Sequence, residues 1–445
     1  MKKLILHITM VVLVCTGLSA ESFTLEQVRS LALSNSRSLA RYNLNIRSSV
    51  LDEKNQLYSM LPSPSLDYSA SMNYLYREWQ IVNPIDTFDA RMTFSVTQKI
   101  FEGGKSFIQK AISEISTEST RKDALAEYFN VLDTVDKAYY AVLESEATLE
   151  AADFALQSGL SNLAIAEIRQ ASGMIKPSDY LKALADNESR VNSYNQARRN
   201  LSLNTAKLKS LIGTNVDLSL EQIDFSVYED LLRRMGSISD EDAGTLYDRF
   251  WNIILTANPS MAKAALSNQR AEKNLSLTKR DPSPTLSATL FSGSIGYSTA
   301  NGFVNSSGGG LTLRGSIPVD FWVFSNRLEK SKIAVESAKL EYINTEVQLE
   351  TNLQSNLINT FTQAESVLSS RRSLQYAEKN YEYVEERYRL SQSSVSELGD
   401  ASSLLINSRN SLIKANFGFL QSLSTLRALI AIDDEARLVG ILLGT

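Results

Sequence analysis

Two stretches of this chain, residues 104–172 and 325–392, run without proline and carry apolar residues at helical spacing. In the first, Tyr128, Val131, Val135, Ala138 and Val142 lead on to Leu149, Ala152 and Leu156, a helical and heptad-like pattern. A helix of about 69 residues extends about 100 Å at 1.5 Å per residue, so the starting constraint is a rod rather than a globule. Shorter helical stretches flank each long one. Residues 24–60 (about 37) and 178–211 (about 34) together match the first long helix, and residues 244–280 and 397–430 match the second in the same way. Stacked end to end, the short helices predict a rod of uniform length with hairpin tips at one end and something else at the other.

Those two stretches belong to an internal duplication. Thr24-Leu25-Glu26-Gln27, a capping-box start that leads to Asn35, recurs as Thr245-Leu246-Tyr247-Asp248 leading to Asn258-Pro259. Pro62-Ser63-Pro64 recurs as Pro282-Ser283-Pro284, Ile100-Phe101 as Val323-Phe324, and Arg169 as Arg389. All the pairs lie about 220 residues apart, the mark of two copies of one unit. Within each copy the Pro-x-Pro stops the opening helix, because proline removes a donor and turns its predecessor away from αR. Period-two alternation follows. Leu66, Tyr68, Ala70, Met72, Tyr74 and Tyr76 oppose Asp67, Ser69, Ser71, Asn73 and Arg77; after a polar loop, Phe88, Ala90, Met92, Phe94 and Val96 oppose Asp89, Arg91, Thr93, Ser95 and Thr97. The second copy repeats this with Leu286, Ala288 and Leu290, then Leu311, Leu313, Ile317 and Val319 against Thr312, Arg314, Ser316 and Asp320. These are four amphipathic strands in two hairpins. The predicted fold class is α+β, in two tandem repeats of helix, strand, strand, long helix and helix.

Missing residues exclude whole chemistries. The only histidine is His7 and the only cysteine is Cys15, and both lie in residues 1–20, which read as a removable signal: Lys2 and Lys3, an apolar run over 4–14, and Leu18-Ser19-Ala20 before Glu21. The mature chain then has no Ser-His-Asp triad, no cysteine nucleophile, no disulfide and no His or Cys metal ligand. A carboxylate-only hydrolase stays formally open. Acylation at Cys15 is disfavoured by the bulk of Val14 before it. Loss of two lysines takes the formal charge from −5 to about −7, which argues against nucleic acid. Gly104-Lys105-Ser106 follows a strand and opens a helix, but Lys99 stands where a phosphate-binding loop needs glycine.

No segment reaches the roughly 18 uninterrupted apolar residues of a membrane-spanning helix. An exported chain of this kind is either soluble outside the inner membrane or inserted by strands that close into a barrel. Four strands cannot close alone, since the smallest membrane barrels use about eight, so one chain would supply a sector of an oligomeric barrel. Tyr68, Tyr74, Tyr76, Met92 and Phe94 would then face lipid, and Asp67, Asn73, Arg91 and Arg314 would line a wet lumen. The competing reading is a water-soluble sandwich whose apolar stripe is core; helices of about 100 Å leave no compact domain to supply its second layer. Trp79 and Trp322 would sit at opposite ends of the strands, as belt aromatics or, for Trp322, packed under the barrel.

In their order and spacing, the opening helix with Asn35, the Pro-x-Pro before a strand, the turn from Ile100 to Gly104, the long helix, the Gly-led tip with Asp179 and Ala183, and the complete second copy resemble TolC-like outer-membrane efflux proteins. The resemblance implies a homotrimer whose twelve strands form one outer-membrane β-barrel, continued by an α-helical coiled-coil tunnel through the periplasm. It also implies a passive exit duct of tripartite efflux or type I secretion, partnered by a periplasmic adaptor (membrane fusion) protein, an inner-membrane transporter of RND or ABC type and outer-membrane lipid, with no catalytic residue, cofactor, metal or nucleic acid. The expected boundaries are a signal at 1–20, repeat one at 21–214 (strands about 64–80 and 86–101, tip about 172–178), an equatorial linker at 215–244, repeat two at 245–432 (strands about 284–298 and 308–322, tip about 391–397) and a tail at 433–445.

In that family the periplasmic end is closed by polar bonds at the helical tips and narrowed by acidic rings. Matching the tip of repeat two, Tyr388 to Ala401, puts Glu397 and Asp400 at the acidic positions and Tyr388 at a gating tyrosine; Asp179 falls where the family has the aspartate that bonds this tyrosine. Ser391 and Ser393 depart from the family's Gly and Arg. Carboxylates repeated around a constriction would repel anions and bind cations. The same acids also suit the first turn of a helix, where the macrodipole favours them. Two other readings remain open from the residues: a periplasmic helical scaffold without a pore, and a carboxylate enzyme.

Overall fold

The computed structural model describes residues 22–73, 76–77, 80–81, 87–214, 218–298, 302–305, 308–390 and 392–444. The expected signal segment with His7 and Cys15, and the strand residues Tyr74 and Trp79, lie outside the described residues; Asn73 and Tyr76 are described in backbone only.

Repeat one runs α1 (Leu25–Asn35), α2 (Arg37–Tyr58), β1 (Ser63–Asn73), β2 (Tyr76–Arg77), β3 (Gln80–Ile81), β4 (Thr87–Phe101), α3 (Lys105–Ala171) and α4 (Pro177–Ile212). A 3-10 turn (Phe225–Tyr228) and α5 (Glu229–Met235) follow. Repeat two runs α6 (Asp240–Ala257), α7 (Pro259–Thr278), β5 (Thr285–Phe291), β6 (Ile295–Ser298), β7 (Gly302–Asn305), β8 (Gly310–Ser316), α8 (Phe321–Arg389) and α9 (Val395–Ile430), and α10 (Glu435–Leu443) closes the described chain. The long helices α3 and α8 hold 67 and 69 residues, and α4 and α9 hold 36 each.

The opening helix expected over 24–60 is two helices, and so is its counterpart expected over 244–280. The breaks fall at Asn35-Ser36 and Asn258-Pro259, and capping chemistry makes them. Ser36 accepts a hydrogen bond from Leu39 N at the start of α2, while Asn258 Oδ1 accepts from Ser260 N at 2.8 Å and Met261 N at 3.3 Å. Each asparagine also donates from Nδ2 to the closing helix of its own repeat, Asn35 to Ile212 O at 2.7 Å and Asn258 to Leu429 O at 2.8 Å. That carbonyl is one of those a helix end leaves unpaired. After both closing helices the chain turns left-handed, through Gly213 at φ 69° and Ala431 at φ 55°. The helix start anticipated at Thr24 is a reciprocal capping box, with Thr24 N on Gln27 Oε1 and Gln27 N on Thr24 Oγ1.

Residues 215–244, expected to be aperiodic, contain the 3-10 turn, α5 and the start of α6. The helices escape a pattern search because α5 is only 7 residues long. Ser239, rather than Gly244, starts α6, by accepting from Asp242 N ahead of three first-turn acids. The strand expected to run to residue 322 ends at Ser316. Pro318 lacks a donor, and Phe324 N already bonds Asp320 O, so α8 begins at Phe321. Ile317 and Val319 therefore lie in a connection, and Trp322 stands in the first turn of a helix, 73% exposed. Of the strand expected over 64–80, Ser63–Asn73 and Tyr76–Arg77 are described, the latter paired with Gln80–Ile81.

By contacts the chain forms two compact units, and each draws on both repeats, because α3 and α8 contribute to both. The first contains the chain up to Asn35, Thr134–Arg233 and Gln363–Gln421. At its core Arg29 meets the fully buried Asp136 through two bonds of 2.6 and 2.9 Å. Tyr139, also buried, donates its hydroxyl to Glu221 O at 2.8 Å, and Phe23 N bonds Ser219 O at 2.7 Å. Phe225 and Tyr228 pack edge-on against Phe417 and Phe419. The second unit contains Ser36–Asp133, Arg234–Thr362 and the chain from Ser422 on.

That second unit carries the sheet. β4 is its spine, paired along one side with β1 from Ser63↔Thr97 to Asn73↔Thr87, and along the other with β5 and then β6. β5 pairs onward with β8 and β6 with β7, so the order is β1, β4, β5 with β6, then β8 with β7. A bulge between Lys99 and Phe101 shifts the register where β4 meets the helical part. Among the described residues, the outer edges of β1 and of β8 and β7 have no strand partner.

Removing one member of the buried Arg29–Asp136 pair strands the other, so Asp136→Ala should lose about 3–5 kcal/mol in urea unfolding. A non-glycine residue in the left-handed region costs about 1–2 kcal/mol, so Ala431→Gly should raise stability by about 1 kcal/mol, and Gly213→Ala should lower it. Burial, with Glu221 and Glu146 nearby, pushes the Tyr139 hydroxyl up to about 12. Its stabilising contribution is complete below the ordinary value of 10.0 and is lost as pH rises toward about 12; Tyr139→Phe should remove this part of the alkaline unfolding curve.

Candidate functional site

Two regions carry the residues singled out by sequence: the helical tips in the first unit and the strand faces in the second. At the tip between α3 and α4, Gly173 turns the chain at φ 73°, Met174 N bonds Arg169 O at 2.8 Å, and Pro177 opens α4. Asp179 lies in the first turn of α4, half-buried. At the other tip, Arg387 donates to Gln392 O at 2.8 Å before α9 begins. Ser394 and Glu397 form a capping box: Glu397 N bonds Ser394 Oγ and Ser394 N bonds Glu397 Oε2, both at 3.1 Å, and Ser393 Oγ also donates to that carboxylate. The hydrogen bonds from Ser393 and Ser394 hold the Glu397 carboxyl below its ordinary value. Asp400 is exposed on the same helix.

Tyr388 is almost fully buried, in a cluster with Ala377, Tyr381, Leu398, Ala401 and Leu405. Its partner is Arg169. The guanidinium sits 4.2 Å from the centre of the Tyr388 ring and donates to Tyr388 O at 2.6 Å, a cation–π contact reinforced by a charged hydrogen bond. Burial raises the Tyr388 hydroxyl and Arg169 partly offsets it. The bond between Tyr388 and Asp179 implied by the family resemblance is absent here: among the described residues, no hydrogen bond or ion pair joins any two of Asp179, Tyr388, Glu397 and Asp400.

Sequence reasoning marked Arg169 only as a repeat landmark, and it missed Arg190 altogether. Arg190 lies partly buried on α4, donating to Ala155 O at 2.8 Å and to Ser402 Oγ at 2.9 Å, and burial lowers its basicity. It crosses Gly159, where an added Cβ would lie 2.5 Å from Arg190 Cδ. Lys182 to Ser396 at 2.8 Å and the Tyr381 hydroxyl on Ser158 at 2.9 Å add further ties from α3 and α4 to α8 and α9. The available signal was an arginine four residues after Asp186 on a helix, facing a lone glycine in the long helix; alone it is too common to interpret.

On the sheet, register sorts the side chains into two faces. Leu66↔Phe94, Tyr68↔Met92, Ala70↔Ala90 and Met72↔Phe88 share one face, continued by Val96↔Leu290, Met92↔Ile295, Ala90↔Tyr297 and Leu290↔Leu311. Tyr68 is 71% exposed and Phe303, edge-on to Tyr297, 86%. Asp67↔Thr93, Ser69↔Arg91, Ser71↔Asp89, Thr97↔Thr289, Thr289↔Thr312 and Ser287↔Arg314 share the opposite face, with Phe291 as an exception. Asn73 pairs with Thr87 at the ladder's end. An exposed apolar face of this extent marks a surface that meets another protein or a lipid phase. Among the described residues no helix is long and apolar enough to cross a membrane, and no cluster of three or more His, Cys, Asp or Glu is placed to hold a metal.

A family profile described as "outer membrane efflux protein" matches residues 28–214 and 251–431. Among solved structures, the Campylobacter jejuni CmeC outer membrane channel is 17% identical, with a TM-score of 0.74 over 93% of this chain and 88% of that one. The Vibrio cholerae outer membrane protein VceC is 14% identical, with a TM-score of 0.72 over 92% and 96%. The open state of the Neisseria gonorrhoeae MtrE outer membrane channel is 15% identical, with a TM-score of 0.72 over 92% and 88%. No curated protein sequence matches significantly.

Loss of the ring contact and the carbonyl bond together should make Arg169→Ala about 2 kcal/mol less stable, with Arg169→Lys intermediate, by urea unfolding. Because its folded value is depressed, Glu397 stabilises above its ordinary value of 4.5, and that contribution is lost as pH falls through its lowered folded value. Glu397→Gln should therefore flatten the acid limb of stability against pH.

Proposed function

Given that this chain belongs to the outer membrane efflux protein family, we propose that it is the passive exit duct of a tripartite efflux or type I secretion system, energised by an inner-membrane transporter of RND or ABC type through a periplasmic adaptor protein. Members of the family are channels of the outer membrane that extend into the periplasm, not enzymes.

The observation that carries the reading is the sheet: one face apolar and exposed, the other polar, and, among the described residues, both outer edges without strand partners. In a bilayer no water is available to satisfy those edge N–H and C=O groups, so they must pair with other strands. The sheet has the span of four long strands, half of what the smallest membrane barrels need. Copies of the chain are the simplest source of the rest, and a homotrimer makes twelve. Tyr68, Met92 and Phe94 then face lipid; Asp67, Arg91 and Arg314 line the lumen.

At the tips, Asp179, Tyr388, Glu397 and Asp400 form the gate region in this reading. Glu397 serves both as a cap and as a lumen charge, since a capping carboxylate keeps its negative charge. Tyr388, held by Arg169, supports the tip from within its core rather than by a bond to Asp179.

The test is single-channel conductance of the purified trimer in a planar bilayer. Discrete steps with a preference for cations are expected, and Glu397→Gln/Asp400→Asn should enlarge them or reduce that preference. Steps indifferent to the mutations would keep the duct and remove the gate; silence from well-formed trimer would favour a scaffold without a pore.

A further inference from the structure

The charges on the polar face of the sheet are not mixed evenly. Toward the hairpin end, Arg91 lies between two acids, two residues from Asp89 on β4 and diagonally across from Asp67, whose register partner is Thr93. Toward the helices the face turns basic. Lys99, Ser287 and Arg314 stand in one row across three neighbouring strands, as Lys99↔Ser287 and Ser287↔Arg314. Residues paired in register point to the same face, and two strand spacings put the backbones of Lys99 and Arg314 about 10 Å apart. Both long side chains can therefore reach over Ser287, whose hydroxyl is a further donor.

The next row, Thr97, Thr289 and Thr312, is all hydroxyl, and Thr97 and Thr289 bond each other at 3.0 Å. One acid opposes the basic row: Glu102, 2.8 Å from Lys99 Nζ. Arg314 has no ion-pair partner among the described residues and is exposed. The row keeps a net positive charge in each copy.

We propose that Lys99, Ser287 and Arg314 form an anion-binding band on the polar face of the sheet, a selectivity element for multivalent phosphate- or carboxylate-bearing solutes. The inference rests on the reading that this face lines a channel. Along β4 the step from Thr93 to Lys99 is six residues, about 20 Å. That is about twice the Debye length at 0.1 M salt, so the band acts as a charge zone separate from the acidic one around Asp67 and Asp89. Arginine supplies a planar fork for an oxyanion, and lysine supplies a point charge beside it.

Inorganic pyrophosphate is the probe, added to the purified trimer in a planar bilayer of net-neutral lipid, so that no anionic headgroup competes with the dissolved anion. Wild type should show a graded, voltage-dependent block that weakens as KCl rises. Arg314→Gln should raise the half-blocking concentration about tenfold, the size expected for losing a charge-assisted hydrogen bond, and should shift the reversal potential toward greater cation preference. Arg314→Lys should retain most of the block, and Lys99→Gln tests the other end of the row in a second variant. Equal block in wild type, Arg314→Gln and Lys99→Gln would overturn the band while leaving the channel intact. A trimer that conducts no ions would instead overturn the channel reading on which the band depends. Equal block in neutral lipid and in bilayers rich in anionic lipid is expected; block lost in the anionic bilayer would assign the row to headgroups, which compete with pyrophosphate for it, and overturn it as a solute site.

Discussion

An open β-sheet edge cannot be left unpaired in hydrocarbon, and the rest of this molecule depends on that. Among the described residues β1 offers one free edge, β8 with β7 the other, and the face between them is studded with Leu66, Tyr68, Met72, Phe94, Leu290, Leu311 and Leu313. In water such a sheet would be an aggregation template. In a membrane it is stable only once its edges are closed and its apolar face is in lipid. Oligomerisation is therefore a condition for this surface to exist, not an ornament added to a finished fold, and the duct proposed above is the closed form that a helix-carrying chain with four strand spans can reach.

The helical part is held together differently. Beside the buried apolar side chains of its long helices, charged and hydroxyl groups do much of the joining. Arg29 on the buried Asp136, Arg169 across Tyr388, Arg190 through to Ser402 and Tyr381 on Ser158 are specific, directional ties. Each satisfies a group that would be costly to bury alone. Directional ties also fix helix register, which apolar surfaces of small residues define only loosely.

Duplication gave both copies the same closing device, and they have drifted in its detail. Asn35 and Asn258 each break a helix and donate to the end of another, yet Gly213 follows one of those ends and the strained Ala431 the other. The tips differ as well. One starts its returning helix with Pro177 and no side-chain cap, the other with the Ser394–Glu397 box. A tip closed by proline and one closed by a carboxylate respond differently to pH, because only the second has a titrating group in the cap.

Much of this was legible in the residues: the duplication, the long helices, the alternation of the strands and the start at Thr24 all depend on local pattern, which periodicity reports directly. Where the pattern misled, a capping or donor effect intervened, as at Asn35-Ser36 and Asn258-Pro259, where one expected helix became two, and at Pro318, where a strand ended early. The candidate gate was readable only as residue types at positions. The sequence by itself determined which faces of the strands are apolar and which stretches are long helices, because those follow from the period of side chains. Only the tertiary structure decided that Tyr388 is held by Arg169 rather than by Asp179, that Arg190 runs to Ser402, and that Lys99, Ser287 and Arg314 share one row. Those partners are separated by as many as 219 residues, and no local rule selects among the many arginines and acids that could meet at such range.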